Sequence, residues 1–260
     1  MKILILINLK ILVCLFFSNL IYAQVNTEKF RKTIYHEGLS GYIESDLSSR
    51  SGNVDIIEVN IENRNDYVWK NMNTNSFLIM QGNYGWQGGT QYSDEALVHL
   101  RHVLRIKTKL QPELFAQIDY NKKRLLMFRG LLGGGLRFAV YNHNKTKLWY
   151  GTAFMLENER LDLYDTDFHK KEVSVIRWSN YFSFNVDFND QLNWTSTTYF
   201  QPLINYLGDT RILGETNLKV GLIEQLSLVL GFKLRYDSEP PKGIKSLDTT
   251  LRSGIGFTFQ

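Results

Sequence analysis

QLSLVLGFKLRYDS (225–238) and LDTTLRSGIGFTF (247–259), the last two alternating runs of the chain, decide the fold. In the first, Leu226, Leu228, Leu230, Phe232, Leu234 and Tyr236 share one face of an extended segment. Ser227, Gly231, Lys233, Arg235 and Asp237 share the other. In the second, Leu251, Ile255, Phe257 and Phe259 alternate with Thr250, Arg252, Gly254, Gly256 and Thr258. Period-two alternation marks a strand, because successive side chains point to opposite faces. No helical pattern nearby offers to cover the apolar face. A soluble sheet buries that face under a second layer, whereas a membrane barrel turns it to lipid and keeps charge in the lumen. The expectation is an all-β chain forming a single antiparallel transmembrane β-barrel.

The same alternation persists upstream and predicts about twelve strands: 37–49, 53–63, 74–87, 93–108, 112–120, 125–140, 146–160, 171–188, 190–202, 210–222, 225–238 and 247–259. Val98, Leu100, Leu104 and Ile106 oppose His99, Arg101, Arg105 and Lys107. Ile176, Trp178, Phe182, Phe184, Val186 and Phe188 oppose Arg177, Ser179, Ser183, Asn185 and Asp187. A helix over 94–104 is the weaker reading, since the alternation runs unbroken through it. If the first strand leaves the periplasm, the periplasmic turns fall at 108–111, 142–145, 189 and 223–224, all short. The outer loops at 162–170, 203–209 and 238–246 are longer, as barrels of this kind require. Residues 64–73 break the pattern, being long where a short turn belongs. All four prolines fall at strand ends or turns, where no ladder donor is lost. Gly133, Gly134 and Gly135 sit inside a strand, where barrels use glycine to curve. Aromatics near strand ends, among them Trp69, Tyr84, Trp86, Trp149, Tyr150, Trp178, Tyr199 and Tyr236, suggest interfacial girdles.

Residues 1–23 read as a cleaved signal peptide: Lys2 opens it, the apolar run from Ile3 to Phe17 follows, and Tyr22-Ala23 supplies the cleavage site. Lys10 splits the run and leaves it shorter than the roughly 20 residues a spanning helix needs. The barrel domain is expected over 24–260. The only cysteine, Cys14, lies in the signal, so disulfides, cysteine-metal sites and thiol catalysis are not expected of the mature chain. Lys2 and Lys10 contribute two of the four net positive charges. The near-neutral remainder has no basic stripe of the kind nucleic acid demands.

The chemistry the sequence offers is charge in the lumen. Strand parity sends Arg101, Arg105, Arg137, Arg177, Lys219, Lys233, Arg235 and Arg252 inward, with Asp119, Glu157, Glu159, Asp187, Glu215 and Asp237. Enclosed charges must pair or meet water, so the set is either a salt-bridge network bracing a narrow barrel or a wet, solute-conducting path. No catalytic set is expected. Gly-x-Ser-x-Gly is missing from the sequence, and the Tyr141-Asn142-His143-Asn144 segment sits in a turn without a serine motif. His36 precedes the first strand and His169 lies in a loop. Parity sends His99 to the lumen and His102 to the other face, so the two share no metal. No metal or cofactor is expected. The expected partners are outer-membrane lipid, small solutes and the barrel-assembly machinery, which would read the C-terminal strand although Gln260 follows Phe259.

From residue 97 onward the chain resembles the salt-induced outer-membrane protein (YdiY-like) family, a family of unknown function. The resemblance is carried by His99-Leu100-Arg101, by Glu113, Phe115 and Gln117, by Arg129 and by Gly133-Gly134-Gly135-Leu136-Arg137. It continues in Gly151, Glu157 and Glu159, in Arg177, Ser179 and Tyr181, and in Tyr199 with Gln201-Pro202. Its most specific block is Arg235-Tyr236-Asp237-Ser238 with Pro240-Pro241, Gly243 and Asp248. It implies an outer-membrane barrel without an assigned activity. The function expected is therefore structural, envelope-stress or narrow-pore. The competing classes are an outer-membrane hydrolase and a periplasmic β-rich binding protein.

Overall fold

The computed structural model describes residues 37–52, 55–70 and 73–259. The expected signal peptide, Cys14, His36 and Gln260 lie outside the described residues. Twelve strands follow one another: β1 Gly38–Arg50, β2 Ile56–Val68, β3 Thr74–Gln87, β4 Thr90–Leu104, β5 Leu110–Asn121, β6 Leu126–His143, β7 Thr146–Leu161, β8 Glu172–Asp187, β9 Leu192–Leu203, β10 Tyr206–Gly221, β11 Leu226–Asp237 and β12 Leu247–Phe259. Each pairs antiparallel with its sequence neighbours, and β1 meets β12 to close the barrel.

Two boundaries differ from the sequence reading. β2 continues through Arg64 and Asp66 to Val68, so the long segment at 64–73 shrinks to a short connection at 69–73. Polar residues in the run Asn63-Arg64-Asn65-Asp66 disguised it as a turn. β4 ends at Leu104 and not at 108, because Arg105 adopts φ +54° and begins a turn closed by Thr108 N–H to the Arg105 carbonyl. At the other end of the barrel, β3 and β4 join through Gly88-Gly89, both at positive φ, the geometry a two-residue hairpin demands. The expected outer loop at 203–209 is mostly strand, with the register slipping between Tyr206 and Thr210. The two long connections left there, 162–171 and 238–246, are tied together. Asp167 accepts hydrogen bonds from the backbone N–H of His169 (3.0 Å) and of Lys242 (2.8 Å), and His169 Nε2 lies 3.0 Å from the Glu239 carbonyl.

Leucine, isoleucine and phenylalanine project outward from every strand, and Leu47, Leu132, Phe154 and Leu251 are all more than half exposed. Inside, the faces are mixed. Phe77, Ile79, Phe115, Leu131, Met155, Tyr181 and Tyr199 are buried among the charges. Tyr199, expected in a girdle, therefore points inward.

Glycines make room for these rings. A Cβ on Gly133 would fall inside the Phe115 ring, and one on Gly151 inside the Tyr181 ring. The Gly133–Gly135 run thus serves close approach as much as curvature. Gly151→Val should overpack the Tyr181 site, at about 1–3 kcal/mol, and lower the urea midpoint. Adding Tyr181→Ala should recover part of that loss. An unchanged midpoint for the single variant would show that the ring is not seated there.

The His169 amide, foremost among its donors, holds the Asp167 carboxyl at about 2, below its ordinary 3.8. A depressed carboxylate stabilises the folded form above its unfolded pKa, and that contribution is lost as pH falls through the folded value. Pepsin cleavage near Tyr164 and Phe168 should therefore be faster in Asp167→Ala than in wild type at about pH 5. The two rates should converge towards about pH 2 as the wild-type clasp protonates. A constant ratio across that window would remove the clasp.

Candidate functional site: the charged lumen

Inward parity on successive strands brings three groups of charge together. The first centres on Arg211 of β10. Its guanidinium donates to Glu157 (2.9 Å), to both oxygens of Glu159 (2.8 and 3.0 Å) and to Asp237 (2.9 Å). Arg177 donates to Glu157 from Nε (2.9 Å) and grips Asp209 with its two terminal nitrogens at 2.9 and 3.2 Å. Arg129 joins Asp119 (2.8 Å) to Glu159 (3.6 Å). Five strands, β5 to β8 and β10, are thereby tied to β11 through side chains.

The second group centres on Arg252 of β12, with Glu44 at 3.0 Å, Glu62 at 3.3 Å, Glu215 at 3.4 Å and Asp46 at 3.8 Å. Lys233 stands 4.0 Å from Glu62. The third lies towards the short-turn end. Arg101 pairs with Glu113 at 3.1 Å, which also accepts from Tyr181 at 3.2 Å. Arg64 pairs with Asp66 at 2.7 Å and lies 3.7 Å over the Phe77 ring. Arg137 lies 3.6 Å over Trp149 and donates to Gln111, so Trp149, like Tyr199, is an inward residue and not part of a girdle.

Most of the sequence-derived set sits in the lumen. Arg101, Asp119, Arg137, Glu157, Glu159, Arg177, Glu215 and Asp237 are buried, and Arg252, Lys233 and Arg235 are partly enclosed. Lys219 lies 4.6 Å over the Tyr42 ring near the short-turn mouth, where Asp187 accepts from Asn193 at 2.6 Å. Arg105 is a correction: it is exposed in the turn after β4, because the strand stops before the parity argument reaches it. Parity arguments missed Glu44, Glu62, Arg64, Asp66, Glu113, Arg129 and Arg211. Arg211 was legible, since it shares the parity of Glu215 and Lys219. Arg64 and Asp66 were hidden by the misread turn.

His99 is enclosed as expected, stacked between the Phe77 and Phe115 rings and 3.0 Å from Gln117 Oε1. His102 points the other way, with Nδ1 2.8 Å from Ser76 Oγ. His143 ends β6 and does not belong to a turn.

The Arg252 group stands between two cavities of the lumen. Towards the long loops lies a cavity of about 690 Å³ whose lining includes Arg252, Glu62 and Glu215. Towards the short turns lies one of about 580 Å³, with Tyr42, Glu44, Asn217 and Lys219 in its wall. Arg252 borders the first and its partner Glu44 the second.

Buried ion pairs add little net stability, but removing one partner strands the rest, at about 3–5 kcal/mol. Arg211→Met should therefore lower stability by that order in urea, because it leaves Glu157, Glu159 and Asp237 short of a cation. The triple variant carrying Glu157→Gln and Glu159→Gln as well should recover much of the loss. No recovery would mean that the group acts through packing alone.

Among solved structures the chain is similar to the NanC porin, at 7% identity and a TM-score of 0.48, covering 85% of this chain and 99% of that one. It is also similar to the translocator domain of the autotransporter NalP from Neisseria meningitidis, at 10% identity and 0.48, covering 86% and 90%. A third is the KdgM porin, at 10% identity and 0.42, covering 85% and 99%. No curated protein matches the chain by sequence. Membership of a family of unknown function, read from motifs beyond residue 97, is borne out and reaches further upstream. Over residues 45–259 the chain matches the model for Protein of unknown function, DUF481, and it belongs to that family.

Proposed function

We propose that this protein is an outer-membrane barrel of structural type, with both strand termini on the periplasmic side and a lumen closed at mid-height. The observation that carries this reading is the inverted distribution of polarity around a closed sheet. Leu228, Leu230 and Phe232 of β11 look outward, while Lys233, Arg235 and Asp237 of the same strand look inward. Only a closed sheet satisfies its backbone in hydrocarbon, and only lipid suits such an exterior. The N-terminal signal would deliver the chain to the periplasm, and β12, ending in Phe257 and Phe259, would present it to the assembly machinery.

The partition favours bracing over conduction. Arg252 and its four carboxylates stand between the two cavities, and with that group in place small solutes would enter either mouth without passing through. No catalytic role is proposed, since the ring stacking of His99 holds it as a packed residue. Replacing Leu230 with Arg puts a charge on the outer face near mid-strand, where it costs about 2–4 kcal/mol in a bilayer. The variant should accumulate unassembled, without the heat-dependent gel shift of a folded barrel, and normal assembly would overturn the membrane reading. In planar bilayers the wild type should show no steady conductance and Arg252→Ser should show one. A steady wild-type conductance would remove the partition.

A further inference from the structure

β12 is paired unequally on its two edges. β11 accompanies it through eleven register pairs, from Tyr236↔Leu247 to Leu226↔Phe257. β1 meets it in five, from Gly41↔Phe259 to Ser45↔Ile255. β1 itself pairs with β2 along all thirteen of its residues. Beyond Ser45 and Ile255, towards the long loops, no further register pair joins the two strands, although Gly254 still lies against Ser45 and Asp46. Residues 47–50 and 247–253 are register-paired on one side only.

In hydrocarbon an unpaired backbone group costs several kcal/mol, so an open edge in a bilayer has to meet polar groups. Side chains along the gap are suited to that: Ser48 and Ser49 on β1, Thr249, Thr250 and Ser253 on β12. Leu47 and Leu251, at 71% and 82% exposure, project outward on either side of it. The gap lies at the long-loop end of the seam, where β1 runs out at Arg50 and β12 begins at Leu247.

Behind the gap lies the 690 Å³ cavity, and Leu47, Ser48, Leu251 and Ser253 from the two edges line it. Its cations are mostly engaged. Arg252 and Arg129 have their carboxylates, Lys123 reaches Glu58 at 3.4 Å and Arg124 reaches Asp248 at 3.4 Å. Arg235 differs: it lines the same cavity, makes no ion pair among the described residues, and has one guanidinium nitrogen buried without a hydrogen-bond partner. Lys233 and Lys245 stand on the same wall. A guanidinium fork without a carboxylate matches an oxyanion.

We propose that the gap between β1 and β12 is a lateral portal for an anionic amphiphile of the surrounding leaflet. The oxyanion of its head group would sit against Arg235 in the outer cavity, while its acyl chains stay in the bilayer between Leu47 and Leu251. The proposal rests on the membrane reading above and adds a ligand class to the outer cavity.

The test uses the full chain, exported and purified in a non-ionic detergent. It is titrated with short-chain phosphatidic acid, with phosphatidylcholine of equal chain length and with inorganic phosphate, bound ligand being counted by native mass spectrometry. Phosphatidic acid should bind in preference to the other two, and Arg235→Gln should weaken it about tenfold, the scale of one charge-assisted contact. Leu47→Cys with Ser253→Cys continues the register of the closed seam, and Cys14 is the only native cysteine. A disulfide across the gap should abolish phosphatidic acid binding, and reduction should restore it. Equal binding by Arg235→Gln, or undiminished binding across the oxidised seam, overturns the portal. So does inorganic phosphate binding as tightly as the lipid, which would make the cavity a free-anion site. A chain that stays monodisperse without detergent removes the membrane reading itself. A detergent-dependent, heat-modifiable chain that does not distinguish the two lipids removes the portal alone.

Discussion

Backbone hydrogen bonding around a closed ring is the constraint on which everything else in this structure depends. Twelve strands satisfy one another in sequence order, so eleven of the seams are hairpins. The twelfth, β1 against β12, joins the two ends of the described chain. Once the ring closes, each strand has an inside and an outside, and the alternation of side chains turns into a division between a greasy exterior and an enclosed lumen. The seam between the first and last strands is where the ring is thinnest, because no turn holds those strands at a fixed register.

What fills the lumen is neither a simple salt-bridge lattice nor an apolar core. Arg64, Arg101 and Arg137 lie over aromatic rings as well as beside hydrogen-bond acceptors. Glycines on neighbouring strands make room for inward tyrosines and phenylalanines. Such a mixture is costly to assemble and gives little net stability from its ion pairs. Its physical effect is on register: a one-residue slip of any strand would turn Arg211, Glu157 or Arg252 outward and bring leucine in. One of these groups, that of Arg252, also stands between the two cavities of the interior.

The arrangement leaves chemistry at the two mouths and little in the middle. Cations and carboxylates at the centre are mutually engaged, and His99 is held between rings. Unspent binding capacity lies on the wall of the outer cavity formed by β11 and β12, beside the seam that is least completely paired. That coincidence of an open edge, an unpaired guanidinium and an enclosed volume is a property of the assembled ring and of no single strand.

Period-two alternation by itself determined that the chain is all-β, that it has twelve strands, and which face of most strands carries charge. Side-chain parity is local, so Arg177 and Asp237 could be placed inward without knowing what they meet. It failed where local chemistry imitated something else. Arg64 and Asp66 sit among polar neighbours that read as a turn, and Arg105 lies just past a strand end. Inward Tyr199, on a strand without charge to mark its faces, looks in sequence like a girdle aromatic, whereas Trp149 shares the parity of Glu157 and Glu159 and was legible; a glycine shows no sign of the ring it will face. Tertiary structure alone decided the pairing: that Arg252 of β12 gathers carboxylates from β1, β2 and β10, that Arg211 reaches across to β7, and that β1 and β12 share no register pair above Ser45. The physical reason is that alternation fixes the direction of a side chain, whereas its partner across a lumen depends on closure and register of strands far apart in the chain.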